Sequence, residues 1–126
     1  MRKKSKMIFS VLTLTLLLSL TAFAGSPQAS YSWSSSSPGT YTSSNAIKKD
    51  TADADVYPQS GSNYSNGIFY NVKRGSSYVG GGTLRYNLNH FSISYKSGQA
   101  IANKYYNLFL RKYDSGKTSI SGYWYP

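Results

Sequence analysis

Few residues in this chain of 126 could carry catalytic chemistry. His90 is the single histidine, cysteine is absent, and the acidic residues are four aspartates, Asp50, Asp53, Asp55 and Asp114. Acyl transfer needs a nucleophile, a base and a group that orients the base, and no Gly-x-Ser-x-Gly motif supplies the nucleophile. Glycoside hydrolysis needs two carboxylates that flank the sugar bond, but three of the aspartates fall in one short segment. The sequence therefore predicts a protein that is not an enzyme, with His90 in a structural role.

Metal binding is the next chemistry to consider. Asp53 and Asp55 form an Asp-x-Asp pair of the kind that contributes to calcium loops. Calcium needs about six to eight oxygen ligands, and zinc usually needs several histidines or cysteines. Two carboxylates and one histidine do not meet either requirement. We therefore expect no metal and no cofactor, and a solvated loop in the segment from Asn45 to Gln59.

Recognition by aromatic and basic side chains remains. The chain has 13 tyrosines, and Tyr105, Tyr123 and Tyr125 lie near Arg111 in its last part. A tyrosine ring can stack on a sugar, and a guanidinium can hold an anionic group. These four residues are our candidate ligand-binding site, for an anionic cell-wall polymer or glycan. The alternative is that the tyrosines pair across neighbouring strands and stabilise an exposed sheet face.

A C-terminal β-hairpin is expected to position these four residues. Two alternating runs, 105–112 and 118–125, flank Asp114-Ser115-Gly116, which fits a three-residue hairpin loop with Gly116 in the left-handed conformation. In that register Leu110 faces Ile120, and the candidate side chains share the opposite, exposed face. The same register places Trp124 inside, opposite Tyr106.

Helix is the rival interpretation for residues 99–112, because Ile101, Tyr105 and Leu108 also fit a helical face. We expect strand from Tyr105 onward, since loop and alternation agree there, and at most a helical turn over 100–103.

Further alternation indicates an all-β protein. One apolar set, Ile68, Tyr70 and Val72, alternates with residues that form a second, fairly apolar face. Between Leu84 and Tyr95 the alternation changes phase at Asn89-His90, which indicates a bulge or a tight turn. The composition is rich in Ser, Gly, Thr, Asn and Tyr, which favours strands and turns. We predict a small antiparallel β-sandwich of about six to eight short strands, formed by one domain over residues 46–126.

The N-terminus has the pattern of a secretory signal. Four basic residues precede an apolar run from Met7 to Leu20, and Thr-Ala-Phe-Ala at 21–24 supplies small residues for cleavage after Ala24. Cleavage after Ala29 is the alternative. Residues 25–45 are Ser-rich, and we interpret them as a lead-in or an irregular first strand, with Trp33 docked into the core. The protein is therefore expected to be extracellular or associated with a cell wall.

The C-terminal third resembles a family of small secreted proteins of Gram-positive bacteria, known as a domain of unknown function. The resemblance rests on Asn-Leu-Phe-Leu-Arg at 107–111, Ser-Ile-Ser-Gly-Tyr-Trp at 119–124, the absence of cysteine and the Tyr/Ser/Asn-rich body. Family members often continue with acidic residues, where this chain has Tyr125-Pro126. The resemblance implies an exported all-β domain and no particular chemistry.

The net positive charge limits the classes of binding partner that we expect. The formal net charge is +10, and residues 25–126 hold ten basic and four acidic residues. This balance suits a partner such as an anionic wall polymer or a phospholipid surface. Nucleic acid is disfavoured, because the basic residues do not form a stripe with interleaved aromatics. We predict a non-catalytic binding or structural module; the alternative is a cationic, bacteriocin-like or membrane-active factor.

Overall fold

A computed structural model describes residues 25–62 and 66–126, and this part of the chain forms ten strands and no helix. It accordingly contains no helix long and apolar enough to cross a membrane. The strands are β1 (Ala29–Ser35), β2 (Gly39–Thr42), β3 (Ala46–Ile47), β4 (Ala54–Ser62), β5 (Ile68–Arg74), β6 (Ser77–Tyr78), β7 (Thr83–Arg85), β8 (Phe91–Ile93), β9 (Tyr105–Lys112) and β10 (Thr118–Tyr125).

The strands form two antiparallel sheets that confirm the predicted β-sandwich. Sheet A has the order β1-β10-β4-β8, and sheet B has the order β2-β9-β5-β6, with β3 beside β9 and β7 beside β5. Ten strands exceed the six to eight expected, partly because β3 and β6 are only two residues long. The strand predicted around Tyr70 is β5, and the strand predicted from Tyr105 onward is β9.

Alternation along the strands produces the core between the sheets. Trp124, Tyr70 and Tyr106 are the largest of the fully buried side chains. Tyr31 of sheet A meets Tyr70 of sheet B edge to face, with ring centroids 6.4 Å apart. Such perpendicular contacts suit the charge distribution of aromatic rings, and this pair of tyrosines joins the two sheets within a core that also contains aliphatic side chains.

The predicted C-terminal hairpin is wrong, because β9 and β10 lie in different sheets. β10 pairs with β1 and β4, while β9 pairs with β2, β3 and β5. The alternation was interpreted correctly, since Leu110, Ile120, Tyr106 and Trp124 are all buried. Two strands that face each other across a core bury alternate residues just as two neighbours in one sheet do, so the pattern does not distinguish the two arrangements.

The connection between β9 and β10 crosses from one sheet to the other. Gly116 is not left-handed, whereas Gly98, in the Tyr-Lys-Ser-Gly segment at 95–98, has φ +73° and lies within a turn closed by Gln99 N–H to the carbonyl of Lys96 at 2.9 Å. At the crossing, the buried Lys112 ammonium forms an ion pair with Asp114 at 2.5 Å and donates to the Asp114 carbonyl at 2.6 Å. These contacts fix the crossing.

The Ser-rich segment contributes a strand to each sheet. β1 lies at one edge of sheet A, and β2 lies at one edge of sheet B. Trp33 is partly buried against the core and stacks on Tyr41 of β2, with centroids 6.1 Å apart. Around the predicted change of phase, Leu84, Tyr86 and Leu88 are exposed whereas Phe91 and Ile93 are buried, and residues 86–90 form no strand between β7 and β8.

Candidate functional site

The four residues of the sequence-predicted site do not share one face. Tyr105 and Arg111 belong to β9 in sheet B, whereas Tyr123 and Tyr125 belong to β10 in sheet A. All four alternate with buried residues, so they point away from the core on opposite outer faces of the sandwich. The predicted constellation is therefore wrong, for the same reason as the hairpin.

Tyr123 and Tyr125 are part of an aromatic cluster on sheet A. Tyr123 is opposite Tyr57 in the β10–β4 register, and the two rings stack at 5.0 Å. The imidazole of His90 stacks near Tyr57 at 4.1 Å, and Tyr125 meets Tyr57 edge to face at 5.9 Å. Partial desolvation, then the neighbouring Asp55 carboxylate, raises the pKa of Tyr57. The Tyr57 ring is thus engaged by its neighbours, as in cross-strand pairing of tyrosines.

The polar groups beside this cluster do not form a catalytic triad. His90 Nε2 lies 3.2 Å from Asp55 Oδ1, and the Ser92 hydroxyl donates to the same oxygen at 2.7 Å. A nucleophilic serine must give its proton to the histidine, but this serine is bonded to the acid. Ser94 similarly donates to Asp53 at 3.2 Å. Among the described residues there is no group of three or more possible metal ligands of the His, Cys, Asp or Glu type.

A groove lies on the outer face of sheet B, with a volume of about 300 Å³. Three strands supply its lining: β5 provides Phe69 and Asn71, β6 provides Tyr78, and β9 provides Phe109 and Arg111. The β5–β9 register places Phe69 opposite Arg111 and Asn71 opposite Phe109. Neighbouring cross-strand pairs thus assemble the floor of the groove.

Two cations flank the aromatic floor. Tyr78 meets Phe109 edge to face at 5.1 Å, and Lys73 Nζ lies 5.2 Å from the Tyr78 centroid and 5.4 Å from that of Phe109. The Arg111 guanidinium carbon lies 5.5 Å from the Phe109 centroid. These are cation–π distances, and they hold both positive charges close to one ring.

No carboxylate neutralises these cations. The ion pairs formed within residues 25–62 and 66–126 involve Lys48, Lys112 and His90, and all four aspartates of the chain lie in these ranges. Lys73 and Arg111 therefore keep their charge available to a ligand. The groove combines an apolar floor with a local positive potential, which is a chemistry for anions that carry a carbon skeleton.

Gly82 packs against two of the residues that line this groove. Its φ is +70°, and a Cβ added there would lie 2.8 Å from Cζ of Phe69 and 3.3 Å from Nδ2 of Asn71. Glycine is the residue that meets both demands, the left-handed backbone and the close approach. Gly82 therefore supports the Phe69 and Asn71 side chains from behind the groove lining.

Sequence reasoning found Arg111 and missed the other lining residues. The signal that could have found Phe69 was the apolar second face of β5, and Phe109 likewise lies on the outward phase of β9. Apolar side chains on the outer face of a sheet indicate a contact surface when they cluster.

Comparisons with protein-family models, curated proteins and solved structures give no match for this chain. The resemblance to a family of secreted proteins stays a prediction, and function is argued from the groove.

Proposed function

We propose that this protein is an exported, non-catalytic binding module that holds an anionic polymer, such as a charged glycan of a cell surface, on the outer face of sheet B. The observation that carries the proposal is the pair of cations, Lys73 and Arg111, that flank the Phe109 ring without a carboxylate partner. Tyr78, which is 41% exposed, supplies a surface for the carbon skeleton, while the buried Phe109 ring holds the cations that contact the anionic groups.

The spacing of the cations favours a polymer that carries repeated charges. Since Lys73 and Arg111 both lie within 5.5 Å of the same centroid, they are separated by no more than about 11 Å. One ligand can therefore contact both cations through anionic groups on one or two adjacent sugar units. Because the groove is open at the surface, a ligand larger than the groove can extend into solvent.

The lining also supports binding without chemistry. Phe69, Asn71, Tyr78, Phe109 and Arg111 include no carboxylate or imidazole that could act as a base near neutral pH. Asp55 belongs to β4 of sheet A, and His90, which contacts it, directly precedes β8 of the same sheet, on the other side of the sandwich. A ligand in the groove would therefore be held and released unchanged.

The test compares retention on immobilised polygalacturonate, which carries carboxylates, with retention on neutral dextran. We expect binding to polygalacturonate only, and a loss of about fivefold to tenfold in affinity for each of Lys73→Gln and Arg111→Gln. Lys49→Gln is the matched control, because Lys49 is exposed and lies outside the groove. Equal retention on dextran, or an equal loss with Lys49→Gln, would contradict the proposal.

Salt titration and lipid vesicles sharpen the result. Binding to a polyanion should weaken with salt, and each charge-removing variant in the groove should reduce the slope of log affinity against log salt by about one. Vesicles of phosphatidylglycerol and phosphatidylcholine test the membrane-active alternative. Binding to these vesicles with no binding to polygalacturonate would overturn the proposal in favour of that alternative.

A further inference from the structure

Gly25, the first residue that the structure describes, lies against the loop that follows β3. A Cβ built on Gly25 would stand 3.2 Å from Oδ2 of Asp50. The next residue is also docked, since the buried Ser26 hydroxyl accepts a hydrogen bond from the Lys49 N–H at 2.9 Å. Residues 25 and 26 are therefore held at a fixed place in the fold before β1 begins at Ala29.

The carboxylate beside Gly25 is itself held in position. Asp50 Oδ1 accepts from the Ala52 N–H at 3.0 Å and forms an ion pair with Lys48 Nζ at 3.3 Å. Lys48 is fully buried, donates to the Ala52 carbonyl at 2.5 Å and lies 4.5 Å from the Tyr95 ring centroid. These contacts direct Oδ1 inward and leave Oδ2 as the oxygen that faces Gly25.

The position of the Cβ built on Gly25 is also a position that the nitrogen of Gly25 can reach. Rotation by about 120° around the Cα–C bond of Gly25 brings its nitrogen to that position, because substituents on a tetrahedral carbon interchange at this angle. The nitrogen would then be about 3.2 Å from Asp50 Oδ2, within ion-pair distance. In the uncleaved chain the nitrogen is a neutral amide, and this rotation would also swing the whole preceding segment.

We infer that Ala24–Gly25 is the processing site of this protein and that cleavage creates an ion pair between the new Gly25 ammonium and Asp50. Hydrolysis adds one water to the peptide bond, leaving a carboxylate on Ala24 and an ammonium group on Gly25. The ammonium is then free to rotate onto Oδ2. The inference rests on the export that is part of the proposed function, but it does not involve polymer binding.

The alternative cleavage after Ala29 fits the structure poorly. It would remove Ser26 with its hydrogen bond to Lys49, and Gln28, whose side-chain oxygen accepts from the Tyr125 hydroxyl at 3.3 Å. It would also remove Ala29 itself, the residue of β1 that is opposite Trp124. Cleavage after Ala24 keeps all of these contacts and adds one.

The first test identifies the new terminus. The full chain is expressed in a bacterium with a general secretion pathway, and the intact mass of the exported protein is measured. A mass that corresponds to residues 25–126 supports the inference. A mass for residues 30–126, or for the uncleaved chain, overturns it, and neither result depends on whether polygalacturonate is bound.

The second test measures the ion pair. One glycine is inserted between Ala24 and Gly25, so that the exported protein carries its ammonium one residue further away. The parent protein should melt about 2–4 °C above the insertion variant, and Asp50→Asn should remove this difference in a double-mutant cycle. An equal difference in both backgrounds would overturn the ion pair.

A chemical measurement covers the case in which Asp50→Asn does not fold. An ammonium group held by a carboxylate has a higher pKa and reacts more slowly with an acylating reagent. We expect the Gly25 amine of the parent to be acetylated at pH 8 about threefold or more slowly than the amine of the insertion variant. Equal rates, read from the mass of the N-terminal peptide, would overturn the ion pair without the use of any Asp50 variant.

Discussion

The guanidinium carbon of Arg111 lies 5.5 Å from the centroid of the Phe109 ring, and both side chains leave β9 on the same outer face of sheet B. A guanidinium placed on a ring keeps a defined orientation without a carboxylate partner. Its N–H groups remain available to an anionic ligand. Arg111 therefore contributes two properties to the groove, a positive charge and a planar group of N–H donors in a fixed orientation.

Arg111→Lys separates these two contributions. Lysine keeps the positive charge, but it lacks the planar group that contacts an anion through two parallel N–H bonds. We expect the affinity for polygalacturonate to fall about threefold, less than for Arg111→Gln, with an unchanged salt slope. Titration calorimetry at two or more salt concentrations measures both quantities, and an affinity as low as that of Arg111→Gln would show that charge is not the main contribution.

Gly82→Ala should damage both the groove and the stability. The added Cβ would meet the Phe69 ring at 2.8 Å, in a backbone conformation that alanine disfavours. Gly75→Ala is the matched control, because Gly75 has φ +61° but has open space around its Cβ position. We expect a loss of about 1 kcal/mol for Gly75→Ala and of about 2–4 kcal/mol for Gly82→Ala in urea unfolding, with weaker polymer binding in the second variant only.

Gly122→Ala should be more damaging, because its Cβ would be directed at three groups at once. The carbonyl oxygen of Tyr57 is the nearest, followed by Cα of Pro58 at 2.9 Å and the hydroxyl of Tyr31 at 3.0 Å. Backbone atoms cannot move aside as the end of a side chain can, so we expect a loss of about 3 kcal/mol or more. Gly39→Ala, on β2 with open space around it, should change stability by less than about 1 kcal/mol and serves as the control.

Removal of both Tyr123 and Tyr125 tests whether the sheet A cluster binds ligand or stabilises the fold. The double alanine variant deletes the stack with Tyr57, so we expect a stability loss of about 2 kcal/mol. Binding to polygalacturonate should not change. Tyr105→Ala is the comparison, since that side chain is 59% exposed and should cost less than about 0.5 kcal/mol. If the double variant loses binding with little loss of stability, Tyr123 and Tyr125 are the ligand-binding residues, and this prediction is wrong.

Asp114 should make stability depend on acid. Hydrogen bonds from the Lys112 ammonium and the Asn66 amide lower the pKa of this carboxyl group. A lowered pKa in the folded state means that the unfolded chain binds the proton more tightly. The contribution of ionised Asp114 to folding stability is therefore present above the unfolded pKa of about 3.9 and disappears as the pH falls through the folded pKa.

Asp114→Asn is the corresponding experiment. It should lower the melting temperature at neutral pH, because the buried Lys112 loses its counter-ion, and it should flatten the decline below about pH 5. Lys112→Met should be tolerated better, because it removes the buried charge together with the need for a partner. A difference between parent and Asp114→Asn that grows as the pH falls would contradict this assignment.

The orientation of many side chains could be predicted from local pattern. Ile120 and Trp124 point into the core as expected, because alternation depends only on the pleat of a strand. The partners of these strands could not be predicted in the same way. β10 pairs with β1, from the other end of the chain, and a pattern of period two carries no information on such a distant partner.

The groove could not be predicted from any single segment of the sequence, because three strands line it. Arg111 was recognisable from its type, but its neighbour across the strands, Phe69, follows only from the β5–β9 register. Tyr78 lies in a two-residue strand that has no detectable alternation. A site made from three strands becomes visible only when their register is known, whereas each buried face is visible strand by strand.

The position of β10 between β1 and β4 sets the order in which the molecule can form. Sheet A has no continuous ladder until residues 118–125 enter between strands that come from much earlier in the chain. As a chain emerges from the ribosome or passes through a membrane pore, β1 and β4 must therefore wait for the last strand, and folding that depends on such distant pairings is slow. The topology thus delays completion of sheet A until residues 118–125 have been delivered.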